Sequence, residues 1–434
     1  MQIKWGNVPL ERSDRPRNTL MINVLKIAPL FLFLSCSFVL NPFAGHFKGE
    51  PNELNEQISE HAKNLLNQSF KGLPAACTPD VHVHVLGTGQ LGSGNWLQPD
   101  LRSFFHPIKY IKYRFFLSGG GITSFETAGP DYLKRLLALA QADARYGKIH
   151  LLAFDYHYDE NGFKDLAKST FHISNEYVFS LAQKYPNRFV PVVSIHPNKP
   201  RATQEVMKWG KKGIKYIKWL PSAQGINPAL EKHDAYYAMV KKYNMTILSH
   251  AGEERAVDGE EFQKLNNPLL LRRPLNKGVK IIVAHLAGLG QCQDLDAQNH
   301  PKKDCFDLFW RLFNNPQYTK ILFADLSAMT LYNRPSKPLL TILKNPQLHH
   351  RLMNGSDYPL PAINILIHTS SLEKLKYITK REKNLLNEIY SYNPLLFDFA
   401  LKRTLRHPQT RQKFLDAAFL LPQELGGCQQ KKAL

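Results

Sequence analysis

Eight short apolar runs, each followed by a loop and an amphipathic stretch, constrain this chain more than any other feature. That alternation is what a parallel sheet covered by helices requires. The runs fall at 80–86, 149–154, 189–195, 214–220, 245–250, 280–285, 320–325 and 351–357. Helical periodicity occupies 132–146, 175–185, 200–211, 235–243, 259–272 and 339–348. Eight such units over about 280 residues match the size of an α/β (β/α)8 TIM barrel, whose active sites sit at the C-terminal ends of the strands. An open doubly wound sheet is the alternative. No G-x-G-x-x-G opens a helix after the first run and no G-x-x-x-x-G-K-[ST] occurs, so its nucleotide-binding forms lose weight.

The rest of the chain frames this barrel, expected over 79–403. Residues 87–130 form a long insertion after the first run, rich in Gly, aromatic and basic residues (FFHPIKYIKYRFF), which reads as a lid. Residues 49–78 are polar and helical in pattern and read as a linker, and 404–434 as a C-terminal helix with a polar tail. With 43% hydrophobic and 21% charged residues, wholesale disorder and fibrous classes are excluded. A balance of 56 Lys+Arg against 36 Asp+Glu gives a net charge of +20, which favours anionic partners: a membrane surface, nucleic acid or a carboxylate substrate.

Residues 1–48 carry an addressing signal. Lys4, Arg12, Arg15, Arg17 and Lys26 precede an uncharged run whose strongly apolar part is 27–40, which reads as a signal sequence or membrane anchor. Pro29 and Pro42 bracket a run too short for a stable span, which favours a signal. Phe33-Leu34-Ser35-Cys36 loosely matches a bacterial lipoprotein cleavage site, so the expectation is an exported or membrane-associated protein on the periplasmic side; a cytoplasmic protein is the alternative. The cysteines are Cys36, Cys77, Cys292, Cys305 and Cys428. Their odd number and spacing argue against a thiolate zinc site and a disulfide framework, although Cys292 and Cys305 could pair in an exported chain.

The histidines are the most informative residues. His82 and His84 lie in DVHVH on the first run, where a period of two puts both rings on one face, able to converge on one ion. His250 ends the fifth run, His285 the sixth and Asp357 the eighth. A single buried histidine at a strand end is usually a satisfied core residue, but four histidines and a carboxylate at the catalytic ends of a barrel form a site. Neutral imidazoles with one carboxylate suit zinc, manganese or iron.

With these residues, the segments 175–197 (NEYVFSLAQKYPNRFVPVVSIHP), 218–228 (KWLPSAQGINP), 355–359 (GSDYP) and 393–399 (NPLLFDF) make the chain resemble the amidohydrolase superfamily over residues 80–399. The likeness is to its amidohydrolase-related branch of metal-dependent TIM-barrel hydrolases, which also holds lactonases and non-oxidative decarboxylases. The resemblance implies that His82, His84, His250 and Asp357 hold one divalent ion, with His285 a second-site ligand or the group that polarises the substrate. It implies that bound water loses its proton near pH ~7 and that Asp357 serves as both ligand and base.

Lys218 ends the fourth run, where many binuclear members of the superfamily place a lysine carbamate bridging two metals. It reads as that carbamate, as an ammonium holding a substrate carboxylate, or as part of a solvated basic face with Lys211, Lys212 and Lys215. Asp155, His157 and His196 follow the second and third runs and read more simply as loop residues satisfied by neighbours; Glu253, Glu254 and Arg255 could orient His250 or start a helix; Asp325, at the end of the seventh run, has no assigned role. The expected activity is metal-dependent hydrolysis of an amide, lactone or ester in a small carboxylate-bearing molecule, using one or two ions, with zinc the first choice. The catalytic residues would be Asp357, His285 and Lys218. Decarboxylation is the alternative. A nuclease is disfavoured, because such enzymes use an acid where this chain has Lys218, and a binding protein without catalysis would have no reason to keep the ligand set. Membrane association through the N-terminus and self-association stay open.

Overall fold

A computed structural model describes residues 45, 47–89, 93–334 and 337–428. The expected leader lies almost wholly outside the described residues, as does Cys36. Among the described residues no helix is long and apolar enough to cross a membrane.

Eight parallel strands form one sheet in sequence order. They are β1 (Asp80–His84), β2 (Ile149–Leu152), β3 (Phe189–Val193), β4 (Tyr216–Trp219), β5 (Thr246–Ser249), β6 (Lys280–Val283), β7 (Leu322–Asp325) and β8 (Leu352–Met353). The edges meet: Val81 N donates to Asn354 O (3.0 Å), Asp357 N to His82 O (2.8 Å) and His84 N to Tyr358 O (3.0 Å), which closes the sheet into a barrel. Among the described residues ten helices of eight residues or more accompany it: α1 (Glu60–Phe70), α2 (Pro107–Gly119), α3 (Ala128–Gln141), α4 (Asn175–Lys184), α5 (Ala202–Lys211), α6 (Asp234–Lys242), α7 (Cys305–Phe313), α8 (Lys337–Lys344), α9 (Lys380–Tyr390) and α10 (Pro394–Thr404).

The barrel interior is apolar. Leu152, Val192, Tyr216, Leu248, Ile282 and Phe323, with Val81, Ala284 and Met353, make one buried cluster inside the ring. Two residues further along β4, β5 and β7 the same inward face changes character. Tyr216 is followed by Lys218, Leu248 by His250 and Phe323 by Asp325. Core and site are thus successive layers of one pattern. In β1 the pairing register with β2 shifts between Asp80 and Val83, a bulge that lets Val81 join the interior layer while His82 and His84 reach the site.

Three expectations change. The segment 49–78 is no linker. Ser59 Oγ caps α1 by accepting from Ala62 N (3.2 Å), and Leu54, Ala62, Leu66 and Phe70 are buried in the main core, with Phe70 stacked on Phe399 at 4.6 Å. Its apolar positions recur at helical spacing, so it is an outer helix of the domain. The span 259–272 is not one helix but 3-10 turns (Glu260–Asn266 and Pro268–Leu271), because Pro268 cannot continue a helix and biases Asn267 away from helical geometry. The tail expected at 404–434 contains no α-helix past Thr404 among the described residues. Its turns Asp416–Phe419 and Gln423–Leu425 close the N-terminal mouth of the barrel: Leu421 and Leu425 pack on the interior cluster, and Tyr216 Oη donates to Leu425 O (3.3 Å). Phe414 and Phe419 anchor this segment in the main core.

Among the described residues there are two disulfides, Cys77–Cys428 and Cys292–Cys305. The second is the pair that spacing allowed. The first joins residues 351 apart in sequence, invisible to any local reading, and ties the plug to the entry of β1.

Candidate metal centre

Three strand ends and one turn build the site. His82 and His84 come from β1, Lys218 from β4, and Asp357 from the segment leaving β8. His285 arrives differently. Ile282 and Ala284 face inward, so strict alternation would send residue 285 outward. Residues 285–287 instead adopt left-handed backbone (φ 53°, 56° and 50°), which turns the imidazole back over the barrel mouth, and His285 N donates to Asp325 Oδ1 (2.9 Å). Asp357 is also left-handed (φ 62°), which costs about 1–3 kcal/mol where the surroundings must enforce it.

Asp357 is the hub. Its Oδ1 lies 3.2 Å from His84 Nε2 and 3.5 Å from His82 Nε2, and its Oδ2 lies 3.8 Å from His285 Nε2. One ligand atom each from His82, His84 and Asp357 lies within 4.8 Å of the others, and the same holds for His82, His285 and Asp325. His82 Nδ1 is 2.9 Å from Asp325 Oδ2, which commits that nitrogen to the carboxylate and leaves Nε2 facing the cluster. Imidazole nitrogens and carboxylate oxygens converging at this spacing fit a divalent ion of the zinc, manganese or iron type. His250 is set apart. Its ring centre is 5.3 Å from that of His285, and its nitrogens face Glu254 Oε2 (3.3 Å) and Gly252 O (3.2 Å).

The electrostatics prepare this cluster for a cation. Burial pushes the His84 and His285 imidazoles down and His250 down to about 4, so all three are neutral near pH 7, and His84 and His285 turn Nε2 toward the cluster. Burial works against ionisation of Asp357, yet His82, His285 and His84 hold its carboxyl well below the usual range. Asp325 is held down in the same way by His82, His285 and the Ser327 hydroxyl.

Lys218 is 1% exposed, which removes the solvated basic face as its explanation. Its Nζ stands 3.1 Å from His82 Nε2. Burial lowers its pKa against the pull of Asp357, Asp325 and Glu254. Asp155, His157 and His196 are satisfied by neighbours: Asp155 by Lys199 Nζ (3.3 Å), His157 by Ala223 O (3.1 Å) and His196 by Gln224 O (2.8 Å). Of the trio after His250, Glu254 reaches the histidine, while Glu253 and Arg255 pair with each other (2.8 Å).

Sequence reasoning placed Asp325 where it could contact the site but gave it no role, and it missed three further residues. Asp325 orients His82 and holds the His285 backbone; it ends a strand as the ligand candidates do, so the signal was present. Ser327 Oγ bridges Asp325 Oδ1 (2.5 Å) and His285 Nδ1 (2.7 Å). Tyr132 Oη donates to His84 O (2.8 Å). Arg334 is buried against the same cavity. The last two come from a helix and a loop with no periodic signal.

The cluster floors a cavity of about 510 Å³. Its walls are mostly apolar, with Tyr113, Phe116, Phe171, Leu331, Ile363 and Leu366 among them, and the insertion supplies one whole wall through α2. Arg334 and Lys218 are cations near the floor; Lys109 and Lys112 also line the space.

The family model described as Amidohydrolase matches residues 80–315, more than half of the chain. No curated protein matches. Among solved structures, an uncharacterised TIM-barrel protein from Bordetella bronchiseptica is 16% identical over 72% of this chain and 99% of its own, with a TM-score of 0.42. A putative 2-pyrone-4,6-dicarboxylic acid hydrolase from Pseudomonas putida is 14% identical over 65% and 83%, with a TM-score of 0.36. A 5-carboxyvanillate decarboxylase from Novosphingobium aromaticivorans, solved with manganese, is 14% identical over 74% and 94%, with a TM-score of 0.39.

Proposed function

The chain belongs to the amidohydrolase family, and on that premise we propose that it is a hydrolase of amide, lactone or ester bonds in a small carboxylate-bearing molecule. The observation that carries the reading is the convergence of His82, His84 and Asp357 within 4.8 Å at the floor of an apolar cavity. These residues would hold a divalent ion, zinc by preference, with His285 or a carbamylated Lys218 available for a second. When bound, such an ion acidifies water and polarises a carbonyl.

The chain's own groups do the rest. Asp357 Oδ, ionised and within reach of the floor, takes the proton of the attacking water and returns it to the leaving group. Neutral His285 stands 3.8 Å from Asp357, placed to donate a hydrogen bond to the oxygen on which charge develops. Asp325 keeps His82 in one tautomer. Lys218 or Arg334 would fix a substrate carboxylate, and the apolar wall excludes water from the rest of the substrate.

Non-oxidative decarboxylation is the second reading, supported by these same two buried cations, which can hold a carboxylate that departs. Metal analysis of the purified protein, with a panel of amides, lactones and aryl carboxylates assayed for hydrolysis and for released carbon dioxide, separates the two. Turnover that survives full chelation would sink both.

The compartment belongs to the same proposal. The leader pattern over 1–48 and two disulfides that need an oxidising environment support export or membrane association on the periplasmic side. Unprocessed, reduced protein in the cytosolic fraction would contradict this.

A further inference from the structure

Among the described residues, large apolar side chains that remain exposed are distributed unevenly. All but Leu375 and Leu415 lie in segments that follow the C-terminal ends of strands, the side of the barrel on which the cavity opens. The densest group is at the start of α2, where Phe105 is 94% and Ile108 82% exposed beside Phe104 and Ile111. An apolar patch of this kind around a cavity mouth marks an interaction surface. It is also continuous with the interior. Ile365 is 47% exposed and still lines the cavity, and α2 turns Tyr113 and Phe116 inward while Ile108, and Phe105 just before the helix, are exposed.

A second observation indicates what covers this surface. Gly45, the first described residue, donates to Ala362 O (3.1 Å) on the segment leaving β8, beside the end of α2. Leu40, the end of the strongly apolar run, precedes it by five residues, a reach of at most about 17 Å. Chain that enters or is anchored to a membrane there delivers the rim, and not the plugged end of the barrel, to the bilayer. Charge agrees: the chain carries +20, and Arg102, Lys109 and Lys112 flank the patch, Lys109 being shared with Asp100 (3.2 Å) and Asp258 (3.5 Å).

We propose that the rim face of α2 docks on a lipid bilayer carrying anionic headgroups, seating Phe105 and Ile108 at the headgroup boundary and opening the cavity toward the membrane. An apolar face with basic flanks lies in the interface in this way. The consequence for substrate rests on the hydrolase reading: an amphiphile whose apolar part fills the cavity while its polar bond reaches Asp357 enters from the bilayer.

The test uses the full chain and reads position, not turnover, so failure of the hydrolase reading leaves its outcome untouched. Phe105→Trp and, at the opposite end, Leu415→Trp are mixed with vesicles of phosphatidylcholine and phosphatidylglycerol that contain brominated acyl chains. The emission added by Phe105→Trp should be quenched severalfold more than that added by Leu415→Trp. Replacing the phosphatidylglycerol with phosphatidylcholine, or raising the salt, should weaken flotation of the chain about tenfold. Phe105→Glu with Ile108→Glu should reduce flotation while leaving the thermal transition in place, which separates docking from folding. Equal quenching at both positions overturns the proposal even if the leader holds the chain on the vesicle. So does a wild-type dimer in vesicle-free buffer that becomes monomeric with Phe105→Glu, because the occupant is then a second copy. Protection of the Phe105→Trp indole from iodide without vesicles overturns it as well, because the chain's own apolar run then covers the face.

Discussion

The two mouths of the barrel are built from the same strands and differ in what closes them. At the C-terminal mouth the inward positions carry Lys218, His250 and Asp325, buried polar groups of which Lys218 and His250 line a ligand-sized space. At the N-terminal mouth the inward positions carry Tyr216, Leu248 and Phe323, and the space is filled by Leu421 and Leu425 under a disulfide. One end keeps its polarity available to a ligand and the other gives up its access for stability. The difference teaches that conservation of a pattern along the strand does not mean equal function at its ends: a shift of two residues moves from packing to chemistry.

The largest test of this division is at the upper mouth. Asp357→Asn should lower turnover by about 10²–10⁴-fold, the range for a lost acid-base group, with little change in the thermal transition; His82→Ala should in addition remove bound metal, read by elemental analysis. Normal metal content and turnover in His82→Ala would break the assignment. The lower mouth should behave in the opposite way. Cys77→Ser with Cys428→Ser should reduce unfolding free energy by up to about 5 kcal/mol in the chain-entropy picture, read by denaturant titration, while the turnover of folded protein stays within about twofold. Loss of turnover matching loss of stability would mean that the ends are coupled.

Asp325→Asn falls between them. It keeps the shape but removes the charge that fixes the His82 tautomer, so metal affinity should drop about 10–100-fold.

The smallest effect is in pH dependence. His250 is pushed down to about 4 and His150, at the lower end beside Tyr216 (4.7 Å), down to about 3, both by burial. The unfolded chain binds protons at these residues near pH 6.5 and the folded chain does not. Stability is therefore whole above pH 6.5 and is lost as pH falls toward 4, by up to about 1.4 kcal/mol per pH unit for each histidine. His150→Leu should flatten that slope by about one proton whether or not metal is present. Equal slopes for wild type and His150→Leu, from chemical denaturation at pH 5 and 7, would break this part of the comparison.

The strands were legible because each buried run is apolar and bounded by turn chemistry, and the H-x-H pair because a period of two needs no tertiary knowledge. Asp357 and Lys218 could be placed at strand ends, but burial alone decided that Lys218 is an interior residue. The positioning of His285 was hidden, since three consecutive left-handed residues leave no mark in an AHLAG segment. The plug and the α1 packing were hidden for another reason: both are contacts between distant parts of the chain, and a polar helix with one apolar stripe reads the same whether or not something lies against the stripe.

The Cys77–Cys428 bond has a topological consequence. It turns the whole barrel into a single covalent ring of more than 350 residues, with both strand ends of the chain fastened at the mouth away from the chemistry. A protease that cuts any one loop on the catalytic rim opens the ring without releasing a fragment, so a nicked molecule remains one particle with every strand in reach of its neighbours. On a non-reducing gel such a molecule migrates as one species and on a reducing gel as two. An enzyme built this way can expose long, apolar, cleavable loops around its working end and still outlast the first cut.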